Sequence, residues 1–367
     1  MGIRRLLIIA GLLPGLCGCK DDSRPADAVR GSITGETLAF SGEQPTRLYK
    51  QDRSPSHITL YGRTVTGRVT YRPGIDYAVS ESGIRRTEGS SIPDCANHRV
   101  RYNADGSFTW NVDPPNPEPM DAYQVYADYQ YLDDGVVPAD ATAGIPSLIA
   151  SRAKSRGELK LVCVGTSISY GGDTFARKMH DSDSECYWRL AANALEQLYG
   201  VPCRATDFSV PGGGSEVLAQ KMDQVIGENP DVTLIEFGIN DHLFPQGAEQ
   251  FERNLDAAVR NLRERGIGVV LIGFFQQNKA WDLETPENTI LFNGILKSVA
   301  ARHDIPFVDI YGRFAQTGYP KTVRDLLADY IHHPTAFGHQ LYYLSLMSAL
   351  APRPMSEREL FECLRRP

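Results

Sequence analysis

From residue 159 onward, apolar runs of strand length alternate with stretches in which apolar residues recur every three or four positions. Leu161, Val162, Cys163 and Val164 form the first run, which stops abruptly at Gly165-Thr166-Ser167. The spacing then predicts a helix over 184–199, because Trp188, Leu190, Ala191, Ala194, Leu195 and Leu198 recur on one face. Further strands are predicted at 204–210, 231–238, 268–274 and 306–310. Helices are predicted after the glycines at 212–214 and over 248–265, 286–303 and 334–350, with Gly266 as the stop of the second of these. Strands that each lead into a helix must run parallel and bury both faces of their sheet. The expected fold over 158–350 is therefore α/β, a three-layer flavodoxin-like domain with a five-stranded parallel sheet.

Upstream, over 29–132, the period changes to two, as in His57-Ile58-Thr59-Leu60-Tyr61-Gly62, with turn residues between the runs. Asp105-Gly106 is a hairpin signal, and four prolines in 111–119 exclude regular structure there. A smaller all-β sandwich is expected. Its tyrosines and Trp110 fit either a sugar-binding platform or cross-strand packing pairs. Residues 133–157 read as a linker carrying a short helix at 145–156, and 351–367 as a surface tail with a short helix at 357–364.

The first nineteen residues belong to targeting rather than fold: Arg4-Arg5 precede an apolar run, 6–16, too short to span a bilayer. The ending Leu16-Cys17-Gly18-Cys19 resembles the lipobox of bacterial lipoproteins. That resemblance implies acylation of Cys19, an exported protein held to a membrane by a lipid anchor, and a tether over 20–28. An ordinary signal peptide cut nearby is the alternative. A net charge of −7 with arginines and acids interspersed excludes a nucleic-acid partner held by a basic surface. Cys95, Cys163, Cys186, Cys203 and Cys363 remain, an odd number without metal-like pairing, so neither a metal site nor a disulfide is assigned.

Unusual residues gather where strands of the parallel sheet end, the edge at which open α/β sheets keep their ligands. Ser167 ends the first strand, in a Gly-Thr-Ser-Ile-Ser context that does not match the GxSxG elbow. Pro211-Gly212-Gly213-Gly214-Ser215 leaves backbone N–H groups bare at a helix start. Asn240, in Gly238-Ile239-Asn240-Asp241, offers a side-chain amide suited to a developing oxyanion. The last loop runs Asp329-Tyr330-Ile331-His332-His333-Pro334, with a carboxylate three or four residues before a histidine it can orient.

Together these blocks resemble the SGNH (GDSL-like) hydrolase superfamily over residues 158–350, with Thr166 where the family carries aspartate. The resemblance implies Ser167 as nucleophile, a histidine as base, Asp329 as its orienter, and Ser167, Gly213 and Asn240 as oxyanion donors, with no metal or cofactor. Spacing from Asp329 selects His332; the His-Pro step, with proline in the first helical turn, selects His333, which we favour. His339 is then structural. The implied activity is that of an exported serine esterase acting on ester groups, O-acetyl above all, of a carbohydrate. The alternatives are a lysophospholipase or thioesterase with an apolar channel lined by Phe244, Phe274 and Phe275, and a non-catalytic surface glycan-binding protein.

Overall fold

The structure, a computed structural model, describes residues 29–95, 101–102, 108–109, 123–137, 144–243, 247–277, 286–317, 323–329 and 331–365. Residues 1–28, with Cys19, the proline-rich stretch and Phe244 lie outside them.

The all-β region holds β1 (Arg30–Ala39), β2 (Ser56–Thr64), β3 (Gly67–Thr70), β4 (Tyr77–Ser80), β5 (Gly83–Arg86), β6 (Arg101–Tyr102), β7 (Phe108–Thr109) and β8 (Gln124–Leu132). One four-stranded antiparallel sheet, ordered β1-β8-β2-β3, is joined by the two-stranded hairpins β4-β5 and β6-β7. The hairpin announced by Asp105-Gly106 is the pair β6-β7, although its turn lies outside the described residues. Tyr61 and Tyr126 face each other across β2 and β8 and stack at 5.6 Å. Tyr61, Tyr71, Tyr77, Tyr126, Tyr129 and Tyr131 are all buried, as packing residues are, and Trp110 lies outside the described residues.

The second region begins with α1 (Gly144–Arg156), β9 (Leu159–Gly165), α2 (Ser167–Tyr170), α3 (Phe175–His180), α4 (Tyr187–Tyr199), β10 (Cys203–Asp207) and α5 (Val217–Gly227). It continues with β11 (Val232–Glu236), α6 (Ala248–Arg263), β12 (Gly268–Ile272), α7 (Pro286–Arg302) and β13 (Phe307–Val308). It closes with α8 (Ile310–Thr317), α9 (Val323–Leu326), α10 (Ala336–Leu350) and α11 (Glu357–Cys363). The five strands are parallel in the order β10-β9-β11-β12-β13, the flavodoxin-like arrangement in which the chain switches direction beside β9. Every residue of β11 and β12 is buried, as a sheet covered on both faces requires.

Two segments differ from expectation. Helix α1, expected within a linker, packs on β9, β12 and α10 and buries Ile145, Ile149 and Ala153, so it belongs to a helical layer. Helix α11, expected on a surface tail, buries Leu360 and Phe361 and touches β1 and α4. In both cases a few apolar residues at helical spacing suffice to seat a short helix, a signal too small to separate from a loop in sequence.

The two regions are joined through buried polar contacts. Thr37 on β1 donates to the Asp325 carbonyl at 2.6 Å and meets Thr335 Oγ1 at 2.7 Å, while the Ala39 N–H donates to Asp325 Oδ1 at 2.8 Å. Glu357 on α11 takes Tyr49 Oη at 2.9 Å, Lys50 Nζ at 2.6 Å and Arg313 Nη1 at 2.7 Å. Burial would raise the Glu357 carboxyl, but Arg313 and Lys50 hold it down at about 2.

Asp325 is buried and its carboxylate satisfies a strand N–H of the other region. Asp325→Ala leaves that donor unpaired and is expected to lower stability by about 1–3 kcal/mol, read from the urea unfolding midpoint. An unchanged midpoint would show that the contact carries no stability.

Candidate active site

The first loop is built by close backbone approach. Gly165, the last residue of β9, stands opposite Glu236 on β11. A Cβ there would lie 2.4 Å from Ser169 Oγ and 2.8 Å from the Glu236 carbonyl oxygen, so only glycine fits. Thr166 follows in extended geometry and caps α2, its hydroxyl accepting the Ile168 N–H at 3.2 Å and donating to Glu236 Oε2 at 2.9 Å. Ser169 Oγ donates to the same oxygen at 2.9 Å. The departure from the family's aspartate thus has a physical counterpart: a carboxylate at 166 would face that of Glu236, whereas threonine hands it a proton donor. Ser167 occupies the first helical position of α2, where a backbone N–H has no partner within the helix.

The histidine loop is pinned at both ends. Ala328 N–H donates to the His333 carbonyl at 2.7 Å and Thr335 N–H to that of Leu326 at 2.8 Å. Between them Asp329 turns inward, and its Oδ1 accepts the N–H groups of Ile331, His332 and His333 at 2.8, 2.8 and 2.9 Å. Its Oδ2 lies 3.1 Å from His333 Nδ1, and His333 Nε2 lies 2.8 Å from Ser167 Oγ. His332 shares the loop but not the relay: its Nδ1 stands 3.4 Å from Asp329 Oδ2, and burial lowers it to about 4. The structure therefore places His333 against Ser167, for a reason other than the one read from sequence. Helix α10 starts at Ala336 under a Thr335 cap, not at Pro334, so it is the Asp329 bonds and not the proline that set the histidine. His339 is buried in α10, stacked on Tyr187, and burial lowers it to about 3.

Of the expected oxyanion donors, Asn240 and the glycine loop meet each other. Asn240 Nδ2 donates to the Gly213 carbonyl at 2.9 Å, which leaves the amide's second hydrogen unused in that bond. Gly213 itself departs from expectation, because its N–H closes a turn onto the Val210 carbonyl at 2.9 Å. Asp241 ties the loops together, taking Ser215 N–H at 2.8 Å and Gly238 N–H at 3.1 Å. A cavity of about 280 Å³ adjoins this side, with Ser215, Glu216, Asn240, Asp241, Gln250 and Asn254 among its walls. Phe274 and Phe275, by contrast, are fully buried core residues.

Three functional neighbours escape a reading of sequence. Asp173 Oδ2 lies 2.5 Å from His333 Nδ1, Gly172 leaves room for the ring, and Glu236 underlies the nucleophile loop. Gly171-Gly172-Asp173 after a predicted strand end was the available signal. Burial would lower His333, but hydrogen bonds to Asp173 and Asp329 outweigh it and raise the imidazole to about 10. Burial would likewise raise Asp329, yet His333 holds that carboxyl well below the usual range. Asp329, His332 and His333 bring possible ligand atoms within 4.8 Å of one another, but Asp329 and both His333 nitrogens are already engaged as described.

A parallel sheet in this order, with serine, histidine and carboxylate in hydrogen-bond reach at its carboxyl edge, defines an α/β serine hydrolase. Residues 163–341 match the GDSL-like Lipase/Acylhydrolase family, a match that supports a serine esterase. No curated protein matches the chain. Among solved structures, Axe2, an acetylxylan esterase from Geobacillus stearothermophilus, is similar at 20% identity and a TM-score of 0.44, over 52% of this chain and 92% of its own. TesA is similar at 24% identity and 0.43, over 53% and 98%. LAE5, an alpha/beta hydrolase enzyme from the metagenome of Lake Arreo in Spain, is similar at 22% and 0.44, over 57% and 97%.

Glu236 yields a pH prediction. Burial raises its carboxyl to about 7 against the hydrogen bonds from Thr166 and Ser169, whereas the unfolded chain ionises near 4.5. Between those values the folded state keeps a proton that the unfolded state has lost, so stability falls as pH rises through the window. Glu236→Gln removes that slope and is expected to gain roughly 3 kcal/mol on wild type between pH 4.5 and 8, from urea midpoints. Parallel pH profiles would show that Glu236 ionises normally.

Proposed function

We propose that Ser167 is the nucleophile and His333 the general base of an esterase that removes short acyl groups, acetyl above all, from a carbohydrate. The carrying observation is the Ser167 Oγ to His333 Nε2 contact of 2.8 Å with carboxylates behind the imidazole. His333 takes the hydroxyl proton as Oγ attacks the ester carbonyl. The oxyanion is held by the Ser167 N–H and the free hydrogen of the Asn240 amide, while Gly213, already bonded to Val210, is left out of the hole. Collapse expels the sugar oxygen, which collects the proton from His333. Water, deprotonated by the same base, then releases the acyl group as an acid and restores Ser167.

Two features support a short acyl group on a polar carrier. The cavity beside Asn240 carries the polar side chains of Ser215, Glu216, Asn240, Asp241, Gln250 and Asn254, and Phe274 and Phe275, candidates for an acyl channel, pack inside the core. The first nineteen residues support an exported enzyme, anchored through Cys19 to a membrane and meeting its substrate outside the cytoplasm.

Hydrolysis of p-nitrophenyl acetate and octanoate, with acetate release from acetylated xylan, tests this reading. Ser167→Ala and His333→Ala are each expected to lose about 10³-fold or more in kcat, and His332→Ala less than ~10-fold. Turnover unchanged in Ser167→Ala, or preference for octanoate, would refute the mechanism or the substrate respectively. Asn240→Ala is expected to lower kcat by roughly 10²- to 10³-fold with little change in KM; a rise in KM alone would assign the amide to substrate binding instead.

A further inference from the structure

One charged group in the site has no part in a serine, histidine and single-carboxylate relay. Asp173 Oδ2 stands 2.5 Å from His333 Nδ1, nearer than Asp329 Oδ2 at 3.1 Å. An imidazole Nδ1 carries one hydrogen, so two carboxylates at that nitrogen share a single donor. The two are held by different means. Asp329 is locked into its own loop by three backbone N–H groups. Asp173 is approached on its other oxygen by Lys178 Nζ at 2.9 Å, from helix α3.

The chain around Asp173 is shaped for this contact. Its φ of +62° lies in the left-handed region, which aspartate and asparagine tolerate better than most residues. Before it, Gly172 donates its N–H to the Ser167 carbonyl at 2.8 Å. A Cβ on Gly172 would lie 3.3 Å from His333 Nε2, so glycine lets the backbone pass close under the ring.

Resting on the esterase reading of this site, we propose that Asp173 is a second positioning carboxylate, sharing the His333 Nδ1 hydrogen with Asp329 while Lys178 tempers its charge. Two anions behind the ring stabilise the imidazolium formed when Ser167 gives up its proton. They also make the neutral imidazole, the form that acts as base, scarcer at low pH. Among the described residues, the charged and titratable groups around His333 are Asp173 and Lys178 from the α3 side, Asp329 and His332 from its own loop, and His339 from α10; His242 lies beyond His332. The flanking histidines are buried and pushed down, so the balance falls to the two carboxylates and the lysine.

The sign follows directly. A carboxylate at Nδ1 raises the pH at which His333 loses its proton, and activity grows as pH rises through that value. Asp173→Asn keeps a residue suited to the left-handed conformation but removes the charge, so the acid limb of kcat/KM should move to lower pH by about one unit. Lys178→Gln strengthens the effect of Asp173 and should move the limb the other way. A residue of purely structural value would lower activity at every pH without moving the limb.

The experiment measures kcat/KM for p-nitrophenyl acetate against pH, with spontaneous hydrolysis subtracted, for wild type, Ser167→Ala, Asp173→Asn and Lys178→Gln, and thermal midpoints alongside. Opposite displacements of the limb in the last two variants are expected. A folded Asp173→Asn enzyme with an unmoved limb overturns the proposal, and so, should that variant not fold, does a Lys178→Gln limb at or below that of wild type. Persistent turnover in Ser167→Ala would instead overturn the reading on which the proposal rests.

Discussion

The histidine loop hangs on one oxygen atom. Asp329 Oδ1 gathers the N–H groups of Ile331, His332 and His333, at 2.8 to 2.9 Å, and this holds the backbone at His333. A buried carboxylate is costly unless its lone pairs are met, and here the loop itself meets them. The other oxygen is then free to face the imidazole. The loop ends at Thr335, which caps α10 and touches Thr37 of the antiparallel sheet. The position of His333 thus depends on an anchor within the loop and another from a different part of the chain.

The opposite wall of the site is assembled by the same means. Val210 N–H donates to the Gly165 carbonyl at 2.9 Å, joining the glycine loop to the nucleophile loop. Asp241 then joins the glycine loop to the strand end that carries Asn240. Thr166 and Ser169 both lean on Glu236 beneath them. Three strand ends are thereby coupled through short polar contacts in a water-poor setting, where such bonds are strong and an unpaired member is expensive. On the proposed mechanism, this coupling is what preorganises the site for an oxyanion.

Much of this was legible in sequence, for identifiable reasons. The parallel sheet announced itself because buried strands and amphipathic helices leave different periods, and Ser167, Asn240, Asp329 and the histidine pair stood out by falling at strand ends. What escaped notice depends on contacts between segments distant in sequence. Asp173 approaches His333 across 160 positions, and a lone aspartate after two glycines looks like any turn. The family resemblance implied Gly213 as a donor, yet the turn to Val210 consumes its N–H. The choice of His333 came out against Ser167 although the helix starts two residues later than the proline implied.

Glu357 gives the architecture a further meaning. Sitting near the end of the chain, it binds Tyr49 and Lys50 near the beginning and Arg313 of the hydrolase region. Contacts between segments this far apart in sequence close a loop of bonds, and the sheet is not a bead on a string. A protease cut between Val137 and Gly144 would sever the covalent path between the regions but leave Thr37, Asp325 and Glu357 in place, so the two pieces should stay together and migrate as one particle. The antiparallel sheet is in this sense bound to the rest of the molecule by its own contacts and is not a separable passenger.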